Sequence, residues 1–166
     1  MTSVVIDSNV IIAGILTKNR RSPNRRLYDL VVSDLITAYT CDALRGEIER
    51  VFQNDGNIIE RAKQINNRMA EVLRILGSLQ EPYVRSKLNA IFEHMNTVST
   101  AHLTVDEGIL KSLGIDWYLI SIALARKVDY IVTWENAVIA MVNSKYAHEG
   151  FKAVTPTDFH AKESQW

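Results

Sequence analysis

Positions 4–9 read Val-Val-Ile-Asp-Ser-Asn, and no other passage limits the fold of this chain as strongly. Three consecutive β-branched residues suit a strand buried on both faces. After Asp7-Ser8-Asn9 the apolar positions become Val10, Ile11, Ile12, Ala13, Ile15 and Leu16, a helical pattern. A buried strand that passes at once into a helix is the opening of a parallel crossover unit. It leaves Asp7 at the carboxyl end of the first strand.

The same alternation runs down the chain. Ser22-Pro23 is a helix start, with Ser as N-cap and Pro at the first helical position, followed by Leu27, Leu30 and Val31. A second strand is predicted over 35–40 and a helix through Leu44, Ile48, Val51 and Phe52. Asn57 and Glu60 form a capping-box pattern for a long helix to Leu76, stopped by Gly77. Pro82 opens a further helix through Leu88, Ile91, Phe92 and Met95, so a helical hairpin is predicted as an insertion over about 57–97. A third strand is expected over 98–103, then a capping box at Thr104 and Glu107 with Gly114 as the stop. Asp116 begins the apolar helix 117–125; Tyr130–Thr133 is a strong strand, followed by Trp134-Glu135-Asn136 and another helix. Phe151–Val154 is a last strand, and Thr155-Pro156 starts a terminal helix. The expected fold is α/β: one domain over 1–166, an α/β/α sandwich around a mostly parallel sheet.

Composition excludes several classes. The 166 residues suit one domain with a core of its own. Lys plus Arg and Asp plus Glu are both 19, so the chain carries no net charge and is not a polycationic coat for nucleic acid. Cys41 is the sole cysteine, which excludes an internal disulfide and a cysteine zinc cluster. The first residues lack the basic start of a signal peptide, and no apolar run has the roughly 18 residues of a membrane span. A cytoplasmic location is expected, with no membrane partner.

Ligands of open parallel sheets collect beyond the carboxyl ends of the strands. Asp7 and Glu135 both follow strands and should meet at that edge. Asp116, at the start of the helix feeding the second of these strands, and Glu47, on the helix after strand two, can lean over it. Carboxylates brought together repel, and a hard divalent cation with oxygen ligands, Mg²⁺ or Mn²⁺, relieves that repulsion. His94, His102, His148 and His160 show no zinc-ligand spacing. Lys18, Arg20, Arg21, Arg25 and Arg26 make a local basic cluster that could hold substrate phosphate.

Four segments in order resemble a PIN domain: Val-Val-Ile-Asp7-Ser8-Asn9, Leu44-x-x-Glu47-x-x-x-Val51-Phe52, Asp116-x-x-Leu119-Ile120-x-x-Ala123, and Tyr130-Ile131-Val132-Thr133-Trp134-Glu135. The resemblance covers roughly 1–52 and 104–158. It implies an Mg²⁺- or Mn²⁺-dependent nuclease, similar to the VapC-like toxins of type II toxin–antitoxin pairs. By that resemblance Asp7, Glu47, Asp116 and Glu135 are the catalytic acids, with Asp7, Asp116 and Glu135 as metal ligands. Asn9 then supports the first acid by hydrogen bonding, and Thr133 is the hydroxyl residue beside the last. The implied partners are an RNA substrate, a cognate antitoxin and a second copy in a homodimer. The chain departs from the pattern at its last position, where Trp134-Glu135 replaces a small residue and Asp; Asn136 is a nearby substitute.

Plainer readings compete for each residue. Asp7 and Asp116 both stand where an N-cap belongs, Glu47 suits a solvated helix face, and Glu135 a turn. The basic cluster suits a solvated loop. A strand ending in Asp also opens haloacid-dehalogenase-type phosphatases, but these need a second Asp where this chain has Asn9, which is no acid or base at neutral pH. A PIN-like scaffold that binds RNA or protein without cutting is the other alternative.

Overall fold

The computed structural model describes residues 1–53, 82–104 and 107–163. Five strands form one sheet in the order β3-β2-β1-β4-β5, every neighbouring pair parallel. The strands are β1 (Ser3–Ile6), β2 (Thr37–Cys41), β3 (Met95–Val98), β4 (Tyr130–Val132) and β5 (Lys152–Val154). Helices α1 (Ser8–Leu16), α2 (Pro23–Val32), α3 (Asp42–Phe52), α4 (Pro82–His94), α5 (Glu107–Leu113), α6 (Trp117–Arg126), α7 (Asn136–Lys145) and α8 (Pro156–Glu163) connect and flank them.

Side chains of β1 alternate between two cores, as a pleated strand requires. Val4 and Ile6 join a core with α1, α2 and α4, whereas Val5 joins one with α6 and α7. Both faces of the sheet are therefore covered, which is why its central strand reads as an unbroken apolar run. The sheet is wholly parallel where the sequence predicts a mostly parallel one. Among the described residues no helix is long and apolar enough to cross a membrane.

Two sequence expectations change. The third strand is Met95–Val98, paired with β2, while Thr100–His102 form a turn of 3-10 helix. Asn96 and Thr97 face solvent on this edge strand, so its polar centre conceals a strand that only pairing reveals. The predicted helical insertion over about 57–97 therefore runs into a strand at its end. Its helix α4 is present, but the first helix and the Asn57–Glu60 and Gly77 signals lie outside the described residues. At the other edge, the Asn143 amide donates to the Ala153 carbonyl at 2.9 Å and accepts from its N–H at 3.0 Å. That pair caps β5 as a neighbouring strand would.

Helices α1 and α2 approach closely through Gly14. A Cβ at this position would lie 2.7 Å from the Asn24 carbonyl oxygen and 3.1 Å from the Tyr28 Cβ. Ser22 is the N-cap and Pro23 opens α2, as the sequence predicts, although the Ser22 side chain makes no capping bond. His160 of α8 instead anchors this helix start, its Nε2 2.8 Å from the Pro23 carbonyl and its Nδ1 2.8 Å from Glu163. Gly14→Ala should destabilise the protein by about 1–3 kcal/mol from overpacking against backbone. That outweighs the roughly 1 kcal/mol of helix propensity gained. Urea unfolding checks this, and an unchanged midpoint would contradict the close approach.

Candidate active site

The strand order places a winding reversal beside β1: the chain moves outward to β2 and β3, then returns to β4 on the other side. Such a switch point opens a crevice at the carboxyl edge. Ile6 is level with Val132, and the next residues on each strand are Asp7 and Thr133. The Asp7 N–H continues the ladder to the Val132 carbonyl at 3.0 Å, and the Thr133 N–H bonds to the Val154 carbonyl at 3.1 Å.

Thr133 is fully buried and joins two acids. Its hydroxyl donates to Asp7 Oδ2 at 2.6 Å and accepts the Glu135 N–H at 3.0 Å. Asp7 is buried to 3% exposure, and its Oδ1 accepts the Asn9 N–H at 3.1 Å. Asp7 is therefore the N-cap of α1, and capping uses one of its two oxygens. The support expected from Asn9 comes from its backbone, while its side chain is on the exposed surface.

Glu47 is half-buried on α3, and the buried Ser8 hydroxyl donates to its Oε2 at 2.6 Å. Sequence reasoning assigned Ser8 no partner in the acidic edge. The signal was its place between Asp7 and Asn9, but its partner lies 39 positions away. Asp116 ends a 3-10 turn, Gly114–Asp116, directly before α6. Its carboxylate makes no capping bond, so the plain N-cap reading does not account for it. Gly114 has φ of 57°, which only glycine adopts without strain, and stops α5 as the sequence predicts. Trp117 and Tyr118 are half-buried, their rings 4.0 Å apart.

Electrostatics link the four acids. Burial raises the Asp7 pKa, bonds from Thr133 and Asn9 lower it, and the charges of Glu47 and Glu135 raise it. Asp116 is pushed up to about 7, by burial first and then by Asp7, Glu135 and Glu47. The fold thus brings all four within mutual electrostatic reach. Asp7, Asp116 and Glu135 are the acids that the resemblance offers as metal ligands; among the described residues no group of three His, Cys, Asp or Glu stands close enough to enclose an ion by itself. Ser8 fixes Glu47, Thr133 fixes Asp7, and Glu135 lies on an exposed turn. An all-oxygen set of this kind still fits Mg²⁺, which binds through one or two carboxylates and retains waters.

The basic cluster divides. Arg25 differs from its basic neighbours in being paired with Asp29 at 2.9 Å and lying over the Tyr28 ring. Lys18, Arg20, Arg21 and Arg26 are exposed and, among the described residues, have no carboxylate partner. Lys18 lies beyond the far end of α1, roughly 13 Å of helix from Asp7. Cys41 is buried, and burial raises its thiol pKa, so it acts as a small apolar residue.

The PIN-domain family model matches residues 3–137. The chain is a PIN-domain protein. The match spans Asp7, Glu47, Asp116 and Glu135, and ends before β5 and α8. PIN domains form a nuclease family whose members typically depend on a divalent metal. No curated protein matches the chain.

The raised pKa of Asp116 has a signed consequence for the metal-free PIN domain. The folded state keeps a proton that the unfolded chain releases near pH 4, so stability falls as pH rises from about 4 to about 7 and then levels. Asp116→Asn should remove this loss, giving a higher urea midpoint than wild type at about pH 8 but not at about pH 4. Equal differences at the two pH values would contradict the shift.

Proposed function

We propose that this PIN domain is an endoribonuclease that hydrolyses RNA phosphodiester bonds with Mg²⁺ or Mn²⁺. The observation that carries the reading is Asp7 buried at the β1/β4 switch point, gripped by Thr133, with the charges of three further acids acting around it. Asp7 and Asp116, with Glu135 leaning in from its turn, are the residues to hold the ion. When bound, that ion supplies a water of lowered pKa and stabilises charge on the phosphate under attack. Thr133 keeps Asp7 oriented by donating to the oxygen that its neighbour Asn9 does not use. Ser8 holds Glu47 at the edge, where it completes the acidic pocket and can accept a proton from water. The raised pKa of Asp116 means that it carries a proton in part near neutrality, and a cation at the edge favours its release.

The finer reading is the toxin of a type II toxin–antitoxin pair, working as a homodimer, with the antitoxin covering the acidic edge. The VapC-like order of its motifs supports it. Co-purification of a small protein that suppresses cleavage tests it. A PIN-like scaffold that binds without cutting is the second reading, favoured by the exposed Glu135.

Asp7→Asn should fold normally and reduce RNA cleavage to background, and chelation should do the same to the wild type. Thr133→Val should lower activity roughly 10–100-fold, as loss of a residue that orients a metal ligand does. Mg²⁺ should raise the melting temperature of the wild type but not of Asp7→Asn. Cleavage undiminished by chelator would overturn the metal mechanism; no cleavage and no Mg²⁺ effect would favour the scaffold.

A further inference from the structure

Trp134 stands at the same edge as the acids, one residue from both Thr133 and Glu135, and is 43% exposed. A ring of this size is ordinarily used for packing, yet this one is held outward. Its indole N–H donates to Asn24 Oδ1 at 3.0 Å, across 110 positions of sequence. The backbone on either side is also fixed. Thr133 is buried, its hydroxyl accepts the Glu135 N–H, and α7 begins at Asn136. The ring is therefore held before any ligand arrives, so little side-chain freedom is lost on binding. Trp117, by contrast, is half-buried against Tyr118.

A fixed, exposed indole beside a phosphate-cleaving edge matches one ligand chemistry closely: an unpaired nucleobase, whose flat face stacks on an aromatic ring. Bases inside a duplex have both faces covered by their neighbours and are denied this contact. Arg21 and Arg26, exposed and without carboxylate partners among the described residues, flank Asn24 in sequence and supply positive charge toward a backbone. We propose that Trp134 is a stacking platform for an unpaired base of the RNA strand at the acidic edge, a contact supplied by the turn between β4 and α7. The inference rests on the nuclease reading above and adds a specificity-determining residue to it.

The test uses the full chain and a single-stranded RNA oligonucleotide, with a duplex of the same sequence as control. Binding is followed in EDTA by tryptophan fluorescence and by anisotropy of labelled RNA, and cleavage kinetics are then measured with Mg²⁺. Single strands should quench the wild-type fluorescence and duplex should not. Trp134→Ala should weaken single-strand binding roughly ten-fold and raise KM by a similar factor with kcat little changed. Trp134→Phe should restore part of the affinity without the quench, and Asn24→Ala, which frees the ring, should weaken binding less than Trp134→Ala. Wild-type cleavage together with unchanged affinity and KM in Trp134→Ala would overturn the platform and leave the nuclease standing, as would equal quenching by duplex. A wild type that neither binds nor cleaves RNA would overturn both.

Discussion

The Thr133 hydroxyl sits where the two central strands release their chains, and it performs two tasks with one oxygen. It donates to a carboxylate on β1's side and accepts a backbone N–H on β4's side. The bond to Asp7 is buried, so it is stronger than it would be at the surface, and losing it would leave a buried polar group unpaired. Because parallel strands β1 and β4 are hydrogen-bonded up to the residue before, the positions of Asp7 and Thr133 are set by the sheet itself. The site is thus built at the ends of the two central strands, and the turn carrying Trp134 and Glu135 is tied to them through Thr133.

A second level of support comes from the helices. Gly14 lets α2 lie against α1 at backbone distance, and the start of α2 then offers Asn24 to Trp134 and the Pro23 carbonyl to His160. Packing in the core on one side of the sheet therefore decides how the exposed rim beside the acids is arranged. On the same side, Ser8 at the start of α1 reaches Glu47 on α3. These contacts join elements far apart in the chain into a single acidic edge. Like charge around Asp7 and Asp116 is the cost of that edge, and it appears as raised pKa values.

Most of the architecture was legible because its signals are local. Val4-Val5-Ile6 and Tyr130-Ile131-Val132 are apolar on both faces, and Ser22-Pro23 and Gly114 punctuate helices by their own backbone preferences. Asp7 and Glu135 could be assigned to one edge because they end parallel strands. What escaped detection depends on partners that hydrophobic periodicity does not name, most of them distant. β3 has a polar centre and is a strand only because β2 pairs with it. Arg25 looked equivalent to its basic neighbours until Asp29, one helical turn on, proved to be its partner. Ser8 gave no sign of Glu47, and Trp134 none of Asn24.

The order of strands and helices, the edge on which the acids emerge and the types of ligand atom they offer all followed from the sequence alone. Each depends on the periodicity of neighbouring residues and on the chemistry of single side chains. The tertiary structure decided which oxygens of Asp7 and Glu47 are engaged and which aromatic ring faces solvent. These depend on bonds between residues 39 to 126 positions apart, whose distances no local pattern encodes.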